Sequence, residues 1–212
     1  MANGQSMSTL TRSKLHILLI IVSLALFVRC SSHHAYTPPA IPINTFQVAD
    51  IVFRLGRTLQ SEAIASKGPG GYSHIGIMVE IDSIKHIIHI EPNRQGSERI
   101  KVESVADFFN PEVAVAGCVM RYNSLTDSMQ QILSSYAKSL LAQGVTFDHD
   151  YQLSDSSRMY CTELVENIFS KVDIDLSQGE RIRLPLAKEP VILPSAIYQN
   201  DSLCEIWSYR TK

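Results

Sequence analysis

Alternation between apolar and polar residues predicts a series of short strands through the middle of the chain. The first strand is predicted over residues 46–55, ending at Gly56, and the next over residues 72–79. Similar alternation continues at residues 87–91, 100–102 and 113–121. Short strands separated by turn residues are typical of an antiparallel sheet.

Segments with helical spacing lie on both sides of these strands. Residues 58–66 predict a helix that stops at the glycine-rich loop 68–71. Longer helices are predicted over residues 128–143 and 162–172, separated by the polar loop 147–158. Strands in the middle with helices around them predict the α+β fold class, an antiparallel sheet flanked by helices.

The predicted hairpin of residues 72–79 and 87–91 combines polar groups on one face. Period-two geometry places His74, Gly76 and Met78 on the same face of their strand. In the partner strand, His89 and Glu91 share a face. A histidine and a glutamate can therefore meet across the sheet. The alternative is the solvent-facing polar side of an ordinary hairpin.

Cys161 is a candidate nucleophile because of its position. It follows a polar loop and opens a predicted helix. The partial positive charge of a helix N-terminus favours thiolate over thiol, and a nearby histidine such as His74 can lower the thiol pKa further. The alternative is a small buried hydrophobic residue on a core helix.

Length and charge limit the class of protein. The chain has 212 residues, of which 45% are hydrophobic and 19% charged, with a formal net charge of -2. This is enough to bury one good core, so we expect one folded domain and a targeting segment. The near-neutral balance and the absence of a basic run argue against a nucleic-acid partner.

The cysteine pattern does not predict a disulfide scaffold or a metal site. Cys30 belongs to the N-terminal segment, which leaves Cys118, Cys161 and Cys204 in the folded part. Cys118 and Cys204 could pair, or both could be buried thiols. The chain has no C-x-x-C pair and no H-E-x-x-H motif, so we expect no metal and no cofactor.

Residues 1–30 predict a signal or membrane-anchor segment. Arg12 and Lys14 precede an apolar run over residues 17–28, and Cys30 follows it, as in a bacterial lipoprotein. Arg29 departs from the lipoprotein pattern, so cleavage near residues 31–32 and retention as an uncleaved anchor are the alternatives. We expect an exported, membrane-associated protein of the cell envelope.

The predicted domain boundaries follow from this signal. The polar and proline-bearing composition of residues 31–45 predicts a flexible linker, and residues 46–212 are predicted to form the folded domain. Membrane attachment would come from the N-terminal segment or from a lipid on Cys30.

An ordered set of motifs in this domain resembles a known family. The set comprises residues 50–54, 60–64, 72–76, 91–92, 147–148 and 160–165. Together they resemble the circularly permuted papain-like amidases of the YaeF/YiiX type, which are related to the NlpC/P60 cell-wall peptidases. In that permuted group the histidine precedes the cysteine, as His74 precedes Cys161 here. The resemblance implies a permuted papain-like fold.

The same resemblance implies the catalytic roles. Cys161 would be the nucleophile, His74 the general base and later acid, and Glu91 the residue that orients the imidazole. His89 is the rival for this third position because it shares a face with Glu91. The backbone N–H of Cys161 could stabilise the oxyanion.

Four further residues are expected to bind substrate or support the site: Tyr72, Ser73, Asp148 and Tyr160. Tyr160 would add a hydroxyl or simply pack, Asp148 would shape the loop before the nucleophile, and Glu163 would cap the helix.

The resemblance implies a thiol amidase that cleaves an amide bond in a cell-wall peptide or another small amide. A lipid-directed acyl hydrolase or acyltransferase is the close chemical alternative. A catalytically idle binding module is the second alternative, against which the complete set of Cys161, His74 and Glu91 argues.

Overall fold

The computed structural model describes residues 39–92, 98–185 and 187–211. The predicted signal segment and most of the predicted linker lie outside these residues. A single turn of 3-10 helix, Ile43–Thr45, falls at the end of the predicted linker. None of the described helices combines the length and the apolar character that a membrane span requires.

A six-stranded sheet forms the centre of the domain, and every neighbouring pair in it is antiparallel. Its strands are β1 (Ile51–Gly56), β2 (His74–Ile81), β3 (Ile84–His89), β4 (Lys101–Ser104), β5 (Ala114–Tyr122) and β8 (Leu203–Arg210). Their order across the sheet is β4-β3-β2-β1-β5-β8. The predicted strands are confirmed in position, and β8, which the sequence reasoning missed, is an edge strand.

Two very short strands form a separate parallel pair beside the sheet. These are β6 (Thr146–Phe147) and β7 (Arg158–Met159). They hold together the two ends of the polar loop that precedes Cys161. The loop is thereby closed at its base immediately before the next helix begins.

The three predicted helices are confirmed, and two short ones are added. In chain order the helices are α1 (Leu59–Ala65), α2 (Val105–Phe108), α3 (Asp127–Gln143), α4 (Cys161–Phe169) and α5 (Pro194–Tyr198). The hydroxyl of Thr58 caps α1 by accepting the backbone N–H of Ser61. Gly144 ends α3 with a φ of 70°, a left-handed conformation that glycine adopts readily.

The first strand begins five residues later than its alternation predicts. Residues 46–50 form a turn in which Ala49 has a φ of 67°. The buried carboxylate of Asp50 accepts the backbone N–H of Gln47 and pairs with Arg121 at 2.7 Å. Ala49 and Asp50 already exchange backbone hydrogen bonds with Met78 of β2, but the positive φ of Ala49 and the contacts of Asp50 interrupt the regular strand, which begins at Ile51.

Each face of the sheet carries its own apolar core. The larger core includes Ile75, Ile77 and Ile88 together with buried residues of α3 and α4. The smaller core, on the other face, includes Met78 and Ile87 and is covered by residues of α2. The predicted period-two alternation of the hairpin is therefore confirmed, but its polar face is buried and not solvent-facing.

Cys118 and Cys204 are free thiols, so the predicted option of a disulfide between them is wrong. In the pairing of β5 with β8, Cys118 lies opposite Ser208 and Cys204 lies opposite Arg121. Because the two cysteines are offset along the ladder, they do not meet across it.

Candidate active site

Cys161 is the first residue of α4, as the sequence predicts. This helix packs on the sheet beside β2, the strand that begins at His74. The backbone N–H groups of Ile75, Thr162 and Cys161 itself surround the sulfur. The start of β2 and the start of α4 therefore come together here, and Cys161 and His74 line the same cavity.

The thiol of Cys161 is neutral in the resting protein. Burial raises its pKa to about 11, although the three surrounding backbone N–H groups act in the opposite direction. The nearby charge of Glu91 raises the pKa further. The sequence reasoning expected an activated thiolate at the helix N-terminus, and here the cost of burying a charge outweighs that effect.

His74 makes its hydrogen bond to a second histidine. Its Nε2 lies 2.8 Å from Nδ1 of His89, whereas the nearest carboxylate oxygen of Glu91 is 4.0 Å away. The expected hydrogen bond between Glu91 and His74 is therefore wrong as a description of the geometry. The catalytic role of Glu91 stays a prediction, and the rival His89 occupies the orienting position.

Gly76 explains why the contact runs to His89. Ile77 pairs with Ile88 across β2 and β3, so the adjoining residues Gly76 and His89 face each other. A Cβ atom on Gly76 would lie only 3.0 Å from the Cβ of His89. Because glycine leaves this space open, the His89 ring can lean along the strand to reach His74.

Two cations and two carboxylates, which we call the four-charge group, surround the histidine pair. Lys101 lies 2.5 Å from Glu91 and 2.8 Å from Glu103. Arg54 lies 2.5 Å from Glu91 and 3.5 Å from Glu103. Each cation thus contacts both carboxylates, and the four formal charges cancel. Glu91 is fixed by these ion pairs and not by an imidazole.

Both imidazoles are neutral at neutral pH. Burial lowers the pKa of His74 well below its usual value, and the charges of Arg54 and Lys101 act in the same direction. Burial also lowers the pKa of His89. The ring of Phe108 packs against both histidines, with centroid distances of 5.8 and 5.2 Å, and removes water from them.

Cys161 and His74 line one cavity of about 410 Å³. Its walls come from β1, α1, the loop before β2 and the start of α4. The lining mixes charged side chains with apolar ones: Arg54, Arg57, Glu91, Glu112, Ile64, Val113, Phe147, Tyr151 and Cys161. A substrate in this space would meet polar and apolar groups within reach of the thiol.

Among the expected supporting residues, only Ser73 lines the cavity. Its hydroxyl accepts the backbone N–H of Gly56 at 3.1 Å. Tyr72 is buried and packs against Phe53 and Tyr198. Tyr72 therefore packs in the core, and its role at the site stays a prediction.

Tyr160 and Asp148 also support the site from outside the cavity lining. The hydroxyl of Tyr160 accepts the backbone N–H of Ile192 at 2.9 Å, so this side chain packs and anchors a loop. Asp148 is fully buried and accepts the N–H groups of Asp150 and Gln152. The prediction that Asp148 shapes the loop before the nucleophile is confirmed.

Glu163 caps the helix that carries the nucleophile, as predicted. Its carboxylate accepts the backbone N–H of Tyr160 at 3.3 Å. Burial raises the pKa of Glu163 to about 8, and the charge of Asp148 adds to this. The start of α4 therefore carries a carboxyl group that titrates near neutral pH.

His74, His89 and Glu91 are also the described residues whose geometry could hold a metal ion. One donor atom from each lies within 4.8 Å of the other two. Both carboxylate oxygens of Glu91 are already paired with Arg54 and Lys101. A bound cation would have to replace these two positive groups.

The sequence reasoning missed Arg54 as a site residue, together with Lys101, Glu103 and Phe108. A signal for two of them was present, because Lys101 and Glu103 alternate around Val102. In the structure, His89 pairs with Lys101 and Ile87 pairs with Glu103, so both charged side chains share the face of His89.

A cysteine at a helix N-terminus facing a buried histidine, with the histidine earlier in the chain, defines a permuted papain-like site. The chain belongs to the permuted papain-like amidase family YaeF/YiiX, also called C92, whose model matches residues 45–205. It is thus an amide hydrolase in its general class.

A solved structure supports the same fold. The metalloprotein yiiX from Escherichia coli O157:H7 is similar to this chain with a TM-score of 0.63 and 21% sequence identity. The similarity covers 77% of this chain and 98% of that one. None of the curated proteins matches the chain.

Proposed function

We propose that the protein is a cysteine amidase in which Cys161 is the nucleophile, His74 the proton carrier and His89 the orienting residue. The 2.8 Å contact between the two histidines is the observation that carries this assignment. Because Nε2 of His74 is hydrogen-bonded to His89, Nδ1 of His74 is the nitrogen that can accept the thiol proton. Glu91, 4.0 Å from His74, adds a negative charge that favours the transient imidazolium.

The reaction begins from the neutral pair. As the sulfur of Cys161 bonds to the carbonyl carbon, the thiol proton passes to Nδ1 of His74 and the carbonyl electrons move to oxygen. The backbone N–H of Cys161 is the candidate donor to that oxyanion. The C–N bond then breaks as His74 returns the proton to the amine. Water attacks the thioester and gives a proton to His74, which passes it to the sulfur as the C–S bond breaks, so the acid leaves and the thiol of Cys161 is regenerated.

The cavity supports a small amide or peptide as the substrate. Its lining offers both signs of charge, from Arg57 and Glu112, beside apolar surface from Val113 and Phe147. Peptides of the bacterial cell wall combine charged groups and short apolar side chains, and we place the substrate in this class. An acyl chain would favour a more uniformly apolar groove, so the lipid-directed alternative is second.

The test uses the full chain and a panel of acyl-amide and acyl-ester probes. We expect Cys161→Ala to abolish turnover, because no other group supplies the bond to the acyl carbon. Cys204→Ala is the matched control and should keep wild-type activity. Alkylation by iodoacetamide should be slow at Cys161 at pH 7 and rise with pH, since its pKa is about 11. Full turnover by Cys161→Ala would refute the proposal.

We also propose that the catalytic domain lies on the exported side of a membrane, as the N-terminal segment predicts. The apolar run at residues 17–28 and Cys30 support this location. Mass spectrometry of the mature N-terminus, with fractionation of a Cys30→Ser variant, tests it. Release of the variant into the soluble fraction would support a lipid anchor, and a cytoplasmic wild-type protein would contradict export.

A further inference from the structure

His89 is held between two polar partners, and the proton on its ring decides both contacts. Its Nδ1 lies 2.8 Å from His74, and its Nε2 lies 3.1 Å from a carboxylate oxygen of Glu103. The contact with Glu103 is close but lacks the alignment of a hydrogen bond, and among the described residues this buried nitrogen has no hydrogen-bond partner. A neutral imidazole carries its single N–H on one of these two nitrogens.

Glu103 is ionised. Its second oxygen lies 2.8 Å from the ammonium of Lys101, and Arg54 lies 3.5 Å from the first. Burial acts to raise the pKa of Glu103, but the contacts with His89 and Lys101 outweigh it and hold the pKa well below its usual range. The carboxylate can therefore only accept a hydrogen bond.

This charge assigns the proton of His89. An unprotonated Nε2 would place its lone pair beside a negatively charged carboxylate oxygen 3.1 Å away in a buried site, which is repulsive, whereas an N–H at that distance is attracted. The proton is therefore on Nε2, and Nδ1 of His89 accepts. His74 then donates from its own Nε2, and its Nδ1 keeps the free electron pair that the thiol of Cys161 requires.

We propose that Glu103 is a positioning residue that sets the tautomers of both histidines, a step that rests on the proposed roles of Cys161 and His74. It takes up no proton and touches no substrate. It acts through His89. Glu103 orients His89 and His89 orients His74, so Glu103 is one residue further from the thiol than the third member of a catalytic triad.

The groups around the pair also predict a change in pH dependence. His74 and His89 face the carboxylates of Glu91 and Glu103 and the cations Arg54 and Lys101. Replacing Glu103 by glutamine removes one negative charge and leaves both cations in place. The imidazolium of His74 becomes less stable, so the acidic limb of kcat/KM should move to lower pH.

Nitrogen-15 NMR of the histidine rings tests the assignment without any turnover. In the unmodified protein we expect both His74 and His89 to carry their proton on Nε2. In Glu103→Gln we expect His89 to show the Nδ1–H tautomer or a mixture, with kcat reduced about tenfold or more. Glu80→Gln, an exposed carboxylate on β2, is the control and should change neither.

Each outcome decides the inference. Protonation of His89 at Nδ1 in the unmodified protein would overturn it, whatever the variants do. Unchanged ring signals and rate in Glu103→Gln would also overturn it. Glu103→Asp keeps the charge and should restore part of the rate. If Cys161→Ala retains activity while the tautomers are as expected, the proposed function fails and the tautomer assignment stands.

Discussion

Removal of the His89 imidazole should slow the reaction by lowering the stability of protonated His74. In the transition state His74 carries a positive charge and donates from Nε2 to the Nδ1 atom 2.8 Å away. A hydrogen bond to a charged group contributes about 1.5–3 kcal/mol. Since about 1.4 kcal/mol corresponds to a factor of ten in rate, His89→Ala should reduce kcat about 10- to 150-fold.

The effect should fall on kcat more than on KM. His89 is fully buried and does not line the cavity, so it has no direct contact with substrate. We would measure kcat and KM with the best amide probe, and thermal unfolding of each variant to confirm a folded protein. His86→Ala, on the same strand but the opposite face, is the matched control and should remain near wild type.

The Glu91→Gln variant distinguishes Glu91 from His89 as the residue that orients His74. Glu91 makes no hydrogen bond to His74 and acts through its charge at 4.0 Å, so its replacement should cost less than that of His89. If His89→Ala instead keeps its rate within about twofold while Glu91→Gln loses more than about tenfold, the orienting role belongs to Glu91 and our reasoning is wrong.

Two further predictions concern Gly76 and Glu163. Gly76→Ala would place a Cβ 2.8 Å from Ile87 and 3.0 Å from His89, so we expect about 1–3 kcal/mol of lost stability in denaturant unfolding and a lower kcat from the displaced ring. Unchanged melting and kcat would contradict this. Burial raises the pKa of Glu163 to about 8, above its value in the unfolded chain, so its protonated form is favoured by folding. That contribution is complete below about pH 4.5 and is lost as pH rises through about 8, so Glu163→Gln should be less sensitive to pH than wild type between these values in thermal melts. Parallel pH curves for the two proteins would refute the assignment.

Much of this site could be predicted because strand alternation and chain order are local properties. The order of His74 and Cys161 marked the permuted family, and period-two alternation placed His74 and His89 on one face. The partner of His74 could not be predicted in this way. The side-chain space above Gly76 decides it, and that space depends on the three-dimensional course of β2 and β3.

The protonation state of Cys161 was beyond sequence reasoning for a different reason. A helix N-terminus and a nearby histidine both favour thiolate, and both features are visible in the sequence. The opposing effect is burial, which depends on how completely the surrounding chain removes water. Here burial is the larger effect and leaves the pKa of Cys161 at about 11.

The neutral resting pair of Cys161 and His74 has a chemical consequence for the thiol. Oxidation and alkylation of cysteine proceed through the thiolate, so a thiol with a pKa of about 11 should react slowly with both kinds of reagent near neutral pH. Burial, together with the charges of Arg54 and Lys101, lowers the pKa of His74 and keeps the ring uncharged and ready to accept the proton. The carboxylate of Glu91, 4.0 Å from His74, offsets part of this effect and so limits the cost of the charge that appears on His74 as sulfur attacks. The four-charge group thus acts on His74 through a balance of opposite signs, in which the cations favour the neutral base and the carboxylates lower the cost of forming the imidazolium.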